Sequence, residues 1–268
     1  MSLLVVIPAR AGSTRLPMKP LRRIAGISLL HRTIAMARRA LTDIEATLVV
    51  GTDDPGIAAH AEEVGCRAVL TDAAIASGSG RALAAALLQS PLPDLVVNLQ
   101  GDAPFQPPAA LAGVVNALHR NGVDVATPVV QLSWEALDAL REHKKIAPSS
   151  GTTCARAGDG HALWFSKAIL PAMRDEAGMR AAGLPCPVWR HIGLYGYRLP
   201  ALAVFEASPP TPLEGLEGLE QLRLLELGFR IETVEVAPAA FDISGIDTEV
   251  DIARAEALIA LYGDSHTS

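Results

Sequence analysis

The sequence predicts an α/β fold, in which a mostly parallel central sheet is flanked by helices and followed by a smaller β-rich part. Short runs of aliphatic and β-branched residues alternate, over about the first 130 residues, with segments whose apolar residues recur at helical spacing. Such alternation gives parallel strands joined by right-handed crossovers. Hydrophobic residues make up 50% of the 268 residues and aromatic residues only 4%, so the predicted core is aliphatic.

The first half of the chain provides the alternation. The predicted strands are residues 5–7, 47–50, 68–70, 94–99 and 123–130. The predicted helices are residues 28–39, 57–64, 83–88 and 111–118, with a turn at residues 24–27. Asp54 and Pro55 stand where the second helix begins, and Gly65 stands where it ends.

The second half is less regular. Its predicted elements are a short helix at residues 134–140, a mobile polar loop at 143–160, a strand at 162–165, irregular chain at 173–187, a strand at 188–198, a strand at 230–236 and a closing helix ending near 262. We also expect a helix to start at Ser166 or Lys167, and a long helix to start at Pro212.

The loop after the first strand carries the strongest functional signal. It holds Gly12 among Arg10, Arg15 and Lys19, at a place where α/β sheets bind ligands. Glycine allows a ligand to approach the backbone, and these cations suit phosphate. The spacing matches neither Gly-x-x-x-x-Gly-Lys-Ser/Thr nor Gly-x-Gly-x-x-Gly. We interpret the loop as a cradle for a nucleoside triphosphate, with an ordinary basic surface loop as the alternative.

Two further stretches are predicted at the same edge of the sheet. Residues 77–80, Ser-Gly-Ser-Gly, either contact a ligand or only connect two elements. Gln100 and Asp102 follow the strand at 94–99. Opposite the cationic loop, Asp102 either binds the Mg2+ of a triphosphate or caps the next helix, and its position favours the metal.

The strand predicted at residues 188–198 places His191, Gly193 and Tyr195 on one face. This face suits a polyhydroxyl ligand that approaches closely, and a purely structural role is the alternative. We interpret Lys144 and Lys145, earlier in the chain, as a solvated pair, with a phosphate contact as the alternative.

Three polar residues near the end of the chain complete the candidates. Glu217 and Gln221 share a face of the predicted long helix, which is either a binding face or a solvated charged one. Asp247 precedes Thr248 and is either a helix cap or a second metal ligand.

Composition argues against several classes of protein. The formal net charge of -6 argues against a general nucleic-acid binder. Cys66, Cys154 and Cys186 are isolated, which predicts reduced thiols and no zinc site. We find no signal peptide and no apolar run that would span a membrane, so we expect a cytoplasmic protein. The missing glycine fingerprint argues against an NAD-dependent dehydrogenase.

Several stretches, taken together and in order, resemble one family. They are Ile7-Pro8-Ala9-Arg10, Ser13-Thr14-Arg15-Leu16-Pro17, Lys19-Pro20-Leu21, Gln100-Gly101-Asp102, Arg190-His191-Ile192-Gly193-Leu194-Tyr195-Gly196-Tyr197, Pro212-Leu213-Glu214, Leu219-Glu220-Gln221-Leu222-Arg223 and Gly245-Ile246-Asp247-Thr248. The sequence resembles the 3-deoxy-manno-octulosonate cytidylyltransferases, or CMP-Kdo synthetases, from about residue 4 to about residue 260. The resemblance implies a Rossmann-like nucleotidyltransferase and a homodimer. It also implies that CTP and Kdo react, in the presence of Mg2+, to give CMP-Kdo and pyrophosphate. CMP-Kdo would then be the activated sugar for lipopolysaccharide synthesis.

The resemblance also implies roles for individual residues. Those that would bind the nucleotide are Pro8, Ala9, Arg10, Ser13, Arg15, Lys19, Ser77 and Gly78. Those that would bind the sugar are Arg81, Gln100, His191, Tyr195, Glu217 and Gln221, with Arg81 available for the sugar carboxylate. Asp102 and Asp247 would bind magnesium and would therefore lie close together. These two and the cations Arg10 and Lys19 would carry catalysis.

Three departures from the family pattern surround the implied base and sugar sites. Ile75 and Gly80 stand where the pattern has His and Glu, and Ala103 stands where it has Glu. The segment at residues 143–154 replaces one that usually contains Asn-Pro-Asn. These departures leave two alternatives open. One is a different acidic 2-keto-3-deoxy sugar as acceptor, and the other is a catalytically quiet relative that binds a nucleotide or a sugar.

We expect a single domain over residues 1–263. Within it, about residues 1–130 form the nucleotide-binding half, about 131–245 the sugar-binding and dimerisation part, and 246–263 the closing helix. We expect residues 264–268 to form a frayed tail.

Overall fold

A computed structural model describes residues 1–13, 15–238 and 245–264. Its strands are β1 (Leu3–Ala9), β2 (Arg23–Ile24), β3 (Ile27–Ser28), β4 (Thr47–Thr52), β5 (Arg67–Leu70), β6 (Leu95–Leu99), β7 (Val125–Gln131), β8 (Thr153–Arg156), β9 (Ala162–Ser166), β10 (Trp189–His191), β11 (Leu194–Arg198) and β12 (Ile231–Glu235). Its helices are α1 (Leu29–Ala40), α2 (Pro55–Glu63), α3 (Gly78–Leu87), α4 (Pro108–Leu118), α5 (Trp134–Ile146), α6 (Glu176–Ala181), α7 (Leu199–Ala207), α8 (Pro212–Glu217), α9 (Glu220–Glu226) and α10 (Glu249–Tyr262), with a 3-10 helix at Lys19–Leu21.

The large sheet has the strand order β5-β4-β1-β6-β11-β7-β10-β8-β9, and β12 pairs with β7 in parallel. Strands β5, β4, β1 and β6 pair in parallel, as the alternation of the first half predicts. From β11 to β9 each strand pairs antiparallel with its neighbour. The predicted α/β fold is confirmed, and the β-rich second half extends the same sheet.

Side chains of β1 alternate between two cores, one on each face of the sheet. Leu3, Val5 and Ile7 pack with apolar residues of α1, α2 and α4. Leu4 and Val6 pack with those of α3, α7 and α9. Both faces of the strand are therefore covered, which explains its continuous apolar run. The carboxyl ends of β1 and β6 meet at one edge, where the candidate residues lie.

A third apolar cluster attaches the closing helix α10. Ile252 and Ala255 of α10 pack with Leu16 of the cationic loop, together with Ile24, Leu29, Phe105 and Ile246. Asp264 just beyond α10 accepts two hydrogen bonds, of 2.7 and 2.9 Å, from Arg32. The expectation of a frayed tail is therefore wrong for Asp264. Residues 265–268, like Thr14 and residues 239–244, lie outside the described part of the chain.

Three stretches predicted as loops or irregular chain are more regular than expected. The polar stretch 143–160 is not one mobile loop, because α5 continues to Ile146 and β8 covers Thr153–Arg156. The stretch 77–80 is not a connector, because α3 begins at Gly78 with Ser77 as its cap. The irregular chain expected at 173–187 contains α6.

Three further element predictions need correction. No helix starts at Ser166 or Lys167, where the Ser166 hydroxyl accepts a hydrogen bond from the Ala168 amide. The strand predicted at 188–198 is divided into β10 and β11. The long helix after Pro212 is divided into α8 and α9, because Gly218 takes a left-handed conformation with φ of 62°.

Candidate active site

A cleft of about 650 Å³ opens at the carboxyl ends of β1 and β6, a size typical of small-molecule sites. The predicted site residues that line it are Pro8, Ala9, Arg10, Ser13, Arg15, Lys19, Ser77, Gly78, Arg81, Gln100, Asp102, His191, Tyr195, Gln221 and Asp247. These residues come from both halves of the chain. The sheet therefore brings together nearly all of the residues predicted for one site.

Gly101 explains why the cationic loop and the Gln100–Asp102 segment are in contact. A Cβ atom at Gly101 would lie 2.6 Å from the carbonyl oxygen of Pro8, at the end of β1. Any other residue here would push the two strand ends apart. This close approach places Asp102 beside the cationic loop.

Lys19 joins the two candidate metal ligands. Its ammonium nitrogen lies 2.7 Å from Oδ2 of Asp102 and 2.7 Å from Oδ1 of Asp247. The Lys19 side chain is only 14% exposed, so both contacts are partly shielded from water. The prediction that Asp247 reaches Asp102 is confirmed, since both carboxylates bind the same ammonium.

Neither carboxylate is the helix cap offered as its alternative. Pro107 occupies the cap position of α4, so Asp102 does not cap that helix. Thr248 caps α10, forming a capping box with Asp251. The side chain of Asp251 also accepts a 3.0 Å hydrogen bond from the Asp247 amide, which fixes the approach of Asp247 to the cleft.

Charge around Asp247 keeps its carboxyl group ionised. Burial alone would raise the pKa of Asp247, but the hydrogen bond and charge of Lys19, followed by the charge of Arg15, lower it below its usual value. Arg15 lies 3.1 Å from the other oxygen of Asp247. Arg10 is exposed and donates a 3.1 Å hydrogen bond to the carbonyl of Ala76. The loop thus presents cations to the cleft at several points.

His191 also lines the cleft. Its Nε2 atom lies 2.9 Å from the hydroxyl of Thr127, and that hydroxyl donates its proton to the carbonyl of Leu194. Thr127 therefore accepts from Nε2–H, which leaves Nδ1 as an acceptor. Burial, with a smaller contribution from the charge of Lys167, lowers the pKa of His191 to about 3. The imidazole is neutral at physiological pH.

Several buried polar atoms border the cleft without a hydrogen-bond partner among the described residues. They are Oδ1 of Asn98, Oε1 of Gln106, the hydroxyl of Tyr195 and Nε2 of Gln221. Buried polar groups are rarely left unpaired. Each of these atoms is shielded from solvent, so a ligand would reach it only after a small movement of the residues that line the cleft.

Two predicted sugar-binding residues have other contacts. Arg81 is 2% exposed, and its guanidinium is taken up by Thr71, the carbonyl of Ile75 and Asp53, so it is not available for a sugar carboxylate. Glu217 lies outside the lining of the cleft and binds the end of β9. The expectation that Glu217 and Gln221 share a helix face is wrong, because they belong to α8 and α9.

Sequence reasoning missed five charged or amide side chains of the cleft: Asn98, Gln106, Lys167, Arg190 and Glu220. Asn98 gave a usable signal, since it is the one polar residue in the apolar strand β6. Glu220 accepts a 2.8 Å hydrogen bond from Ser79, and the surrounding walls raise its pKa through partial burial. Lys167 gave no signal, because no predicted element placed it at the cleft.

A family model described as cytidylyltransferase matches residues 4–231. The 3-deoxy-manno-octulosonate cytidylyltransferase of Maricaulis maris is 39% identical, covering 98% of this chain and 99% of that protein. The protein of the same name from Anaeromyxobacter sp. strain Fw109-5 is 41% identical, covering 96% of each. This chain belongs to the 3-deoxy-manno-octulosonate cytidylyltransferase family. The resemblance found in the sequence motifs is confirmed, and the chain is a nucleotidyltransferase.

One solved structure agrees with this membership of the family, and a more distant one shares the fold. A CMP:2-keto-3-deoxy-manno-octonic acid synthetase complexed with CTP matches with a TM-score of 0.81 and 30% identity, covering 97% of this chain and 99% of that one. A cytidylyltransferase from Leptospira borgpetersenii, 18% identical, shares the fold with a TM-score of 0.59, covering 100% of this chain and 91% of that one. In the described residues, no helix combines the length and apolar character needed to cross a membrane.

Proposed function

We propose that this protein transfers the cytidylyl group of CTP to 3-deoxy-D-manno-octulosonate (Kdo), giving CMP-Kdo and pyrophosphate. The observation that carries the proposal is the convergence of Asp102 and Asp247 on Lys19, beside the cationic loop and in one cleft with His191 and Gln221. The names of the relatives support both the donor and the acceptor. The product would serve lipopolysaccharide synthesis.

The two carboxylates fit a magnesium ion. Both are hard oxygen donors, and both already face one cationic group, the ammonium of Lys19. The described residues contain no group of three or more His, Cys, Asp or Glu side chains that could hold a metal ion. Mg2+ usually takes one or two carboxylates and completes its shell with water and phosphate, so two carboxylates suffice for it. When bound there, magnesium supplies neutralisation of charge on the phosphate oxygens.

In this reaction the sugar hydroxyl oxygen attacks the α-phosphorus of CTP, and the bond to the β-phosphate breaks to release pyrophosphate. Arg10, Arg15 and Lys19 neutralise the charge that develops on the phosphate oxygens and the leaving group. The hydroxyl proton passes to solvent water as the new bond forms, and pyrophosphate leaves with the electron pair of the broken P–O bond. The protein forms no covalent bond to the substrates in this reaction. The acceleration of the reaction therefore comes from positioning of the reactants and from stabilisation of charge.

The sugar would occupy the side of the cleft formed by His191, Tyr195 and Gln221. The neutral His191 offers Nδ1 as an acceptor, and Gln221 also lines the cleft. Lys167 and Arg190, which also line the cleft, provide positive charge for a sugar carboxylate. This assigns to them the contact that Arg81 cannot make.

The departures from the family pattern do not argue against Kdo as the acceptor. Ile75, Gly80 and Ala103 do not line the cleft, and Ala103 is only 2% exposed. Substitutions behind the wall change the ligand surface less than substitutions on it. Retention of both carboxylates and Lys19 argues against a catalytically quiet relative.

We also propose a homodimer working in the cytoplasm. The second half of the chain exposes large apolar side chains, among them Leu163, Leu184 and Leu216 at 55%, 48% and 83%. The homodimer follows from the family resemblance, and such side chains would have to lie together in one patch to form its interface. The cytoplasm is proposed because the reaction uses CTP. Light scattering coupled to size exclusion tests the dimer through the measured mass.

Pyrophosphate release from CTP and Mg2+, measured across a panel of acidic 2-keto-3-deoxy sugars including Kdo, tests the function. We expect turnover with Kdo. Release only with another acidic sugar would overturn the assigned acceptor. Binding of CTP without release on any sugar would favour the quiet relative, and Asp102→Ala would then leave nucleotide affinity unchanged.

A further inference from the structure

Lys144, in the last turn of α5, is surrounded by backbone carbonyl groups. Its ammonium nitrogen lies 2.5 Å from the carbonyl oxygen of Ser150, 2.6 Å from that of Lys167 and 2.8 Å from that of Gly151. A fourth carbonyl, of Pro148, lies at 3.3 Å. An ammonium group has three donors, so the three short contacts use all of them.

The neighbouring Lys145 shows how different this environment is. Its ammonium pairs with Glu142, at 2.7 and 2.8 Å, on an exposed surface of the same helix. The interpretation of the two lysines as a solvated pair therefore holds for Lys145 and is wrong for Lys144. The phosphate contact offered as the alternative is wrong for Lys144, because its donors are taken.

The carbonyl groups around Lys144 belong to two segments that are distant in sequence. Ser150 and Gly151 lie in the turn between α5 and β8, and Lys167 follows β9. Glu217 binds the second segment from the other side, accepting hydrogen bonds of 2.7 Å from the Ser166 hydroxyl and 2.8 Å from the Lys167 amide. Lys167 is therefore held through its carbonyl by Lys144 and through its amide by Glu217.

Both segments form part of the wall of the cleft. Gly151, Thr152 and Lys167 line it, and the Lys167 ammonium donates a 3.1 Å hydrogen bond to the Thr152 hydroxyl. The carbonyl of Thr152 accepts a 2.9 Å hydrogen bond from the His191 amide. The contacts made by Lys144 thus connect directly to residues that face the proposed sugar.

We propose that Lys144 is a positioning residue for the acidic-sugar side of the cleft. Its ammonium acts as an internal monovalent cation that draws the turn at residues 148–151 and the end of β9 together. Without it, Lys167 and Thr152 lose their fixed relation to His191. The assignment of the sugar to this wall rests on the proposed function, whereas the ordering of the wall by Lys144 does not.

The carbonyl groups around Lys144 also provide a specific test. Backbone carbonyl oxygens are the donors that replace the hydration shell of potassium in selective pores. In Lys144→Ala the carbonyl groups remain and the ammonium is removed. Potassium or ammonium ions are therefore expected to enter in its place and restore the wall, and sodium or choline ions at equal ionic strength are not.

The experiment compares Lys144→Ala with the control Lys145→Ala, using amide hydrogen exchange without substrate and steady-state kinetics. In Lys144→Ala we expect faster exchange at residues 149–152 and 167–168, and a KM for the acidic sugar raised about tenfold. The KM for CTP should stay within about twofold of that of the parent protein. Potassium or ammonium chloride should slow the exchange and lower the sugar KM in this variant alone.

The proposal would be overturned if the amide hydrogen exchange rates at residues 149–152 and 167–168 were equal in Lys144→Ala and Lys145→Ala. An equal rise in KM for both substrates would also overturn it, because it would show a general loss of stability. If Lys144→Ala does not fold, Lys144→Arg, which keeps the charge but spreads its donors over a planar fork, replaces it in the same comparison. A parent protein that turns over no acidic sugar refutes the proposed function, and the exchange measurements then still decide the role of Lys144.

Discussion

Lys19 donates a 2.7 Å hydrogen bond to Asp247, although 228 positions separate them in the chain. The lysine belongs to the cationic loop after β1, and the aspartate directly precedes α10. Because Lys19 also binds Asp102 after β6, one ammonium connects three distant segments at the proposed catalytic position. Removing one member of this group should therefore affect the others.

Asp102→Asn and Asp247→Asn should each lower kcat/KM by about 100-fold or more, because each removes a negative charge that the proposed metal requires. Thermal unfolding should change little, since both side chains are partly exposed at the cleft. Pyrophosphate release measures the activity. Glu249→Gln is the matched control, because Glu249 begins α10 but pairs with Arg22 on the exposed surface. If Glu249→Gln lost as much activity as the two aspartate variants, the loss would reflect a general effect of removing negative charge and not a metal site.

Lys19→Met should raise the affinity for Mn2+ in the absence of nucleotide by about tenfold, because the ammonium no longer competes for the two carboxylates. Titration calorimetry or the electron paramagnetic resonance signal of free Mn2+ measures this affinity. The same variant should bind CTP more weakly, since it loses a phosphate contact. Arg10→Met is the control, because Arg10 lies in the same loop and donates to the carbonyl of Ala76. Equal Mn2+ affinities in the two variants would contradict the competition.

The sequence predicted the parallel half of the sheet and the loop at the end of β1, because burial on both faces leaves continuous apolar runs. It placed Asp102 correctly by the rule that ligands meet the carboxyl ends of strands. The second half was less predictable, since its shape depends on contacts between distant side chains and backbone. Lys144 orders residues 148–151 and Glu217 holds Lys167, and neither contact produces a periodic pattern.

His191 should make stability depend on pH in acid. Its folded-state pKa of about 3 lies below the ordinary value of 6.5, so the unfolded chain binds a proton between these values and the folded protein does not. The free energy of unfolding should therefore fall as pH drops below 6.5, by up to about 1.4 kcal/mol per pH unit from this group. Above pH 6.5 the effect is absent.

His191→Gln tests this contribution, because glutamine can still donate to Thr127 but does not titrate. Urea unfolding at several pH values between 4.5 and 7.5 should give a smaller pH slope in His191→Gln than in the parent protein. The exposed His143→Gln should keep the parent slope. If the free energy of unfolding depended on pH with the same slope in all three proteins, His191 would not be the cause of this pH dependence.

Asp264→Asn should destabilise the attachment of α10 and, through it, the position of Asp247. Arg32 is 3% exposed, and its guanidinium binds both oxygens of Asp264 and the carbonyl of Ile24. The substitution leaves a buried cation without its counter-charge, at a cost of about 1–3 kcal/mol in the free energy of unfolding. Denaturant unfolding measures that cost.

Asp43→Asn makes the same chemical change on an exposed loop and should be neutral within about 0.5 kcal/mol. If α10 carries Asp247 as the structure indicates, Asp264→Asn should also lower kcat while the KM for the sugar stays nearly constant. The reason is that Asp247 contacts Lys19 and Arg15 of the cationic loop, which face the phosphate groups in the proposed reaction. A stability loss without any change in kcat would show that the cluster of Leu16, Ile246 and Ile252 holds Asp247 in place without the Arg32–Asp264 pair.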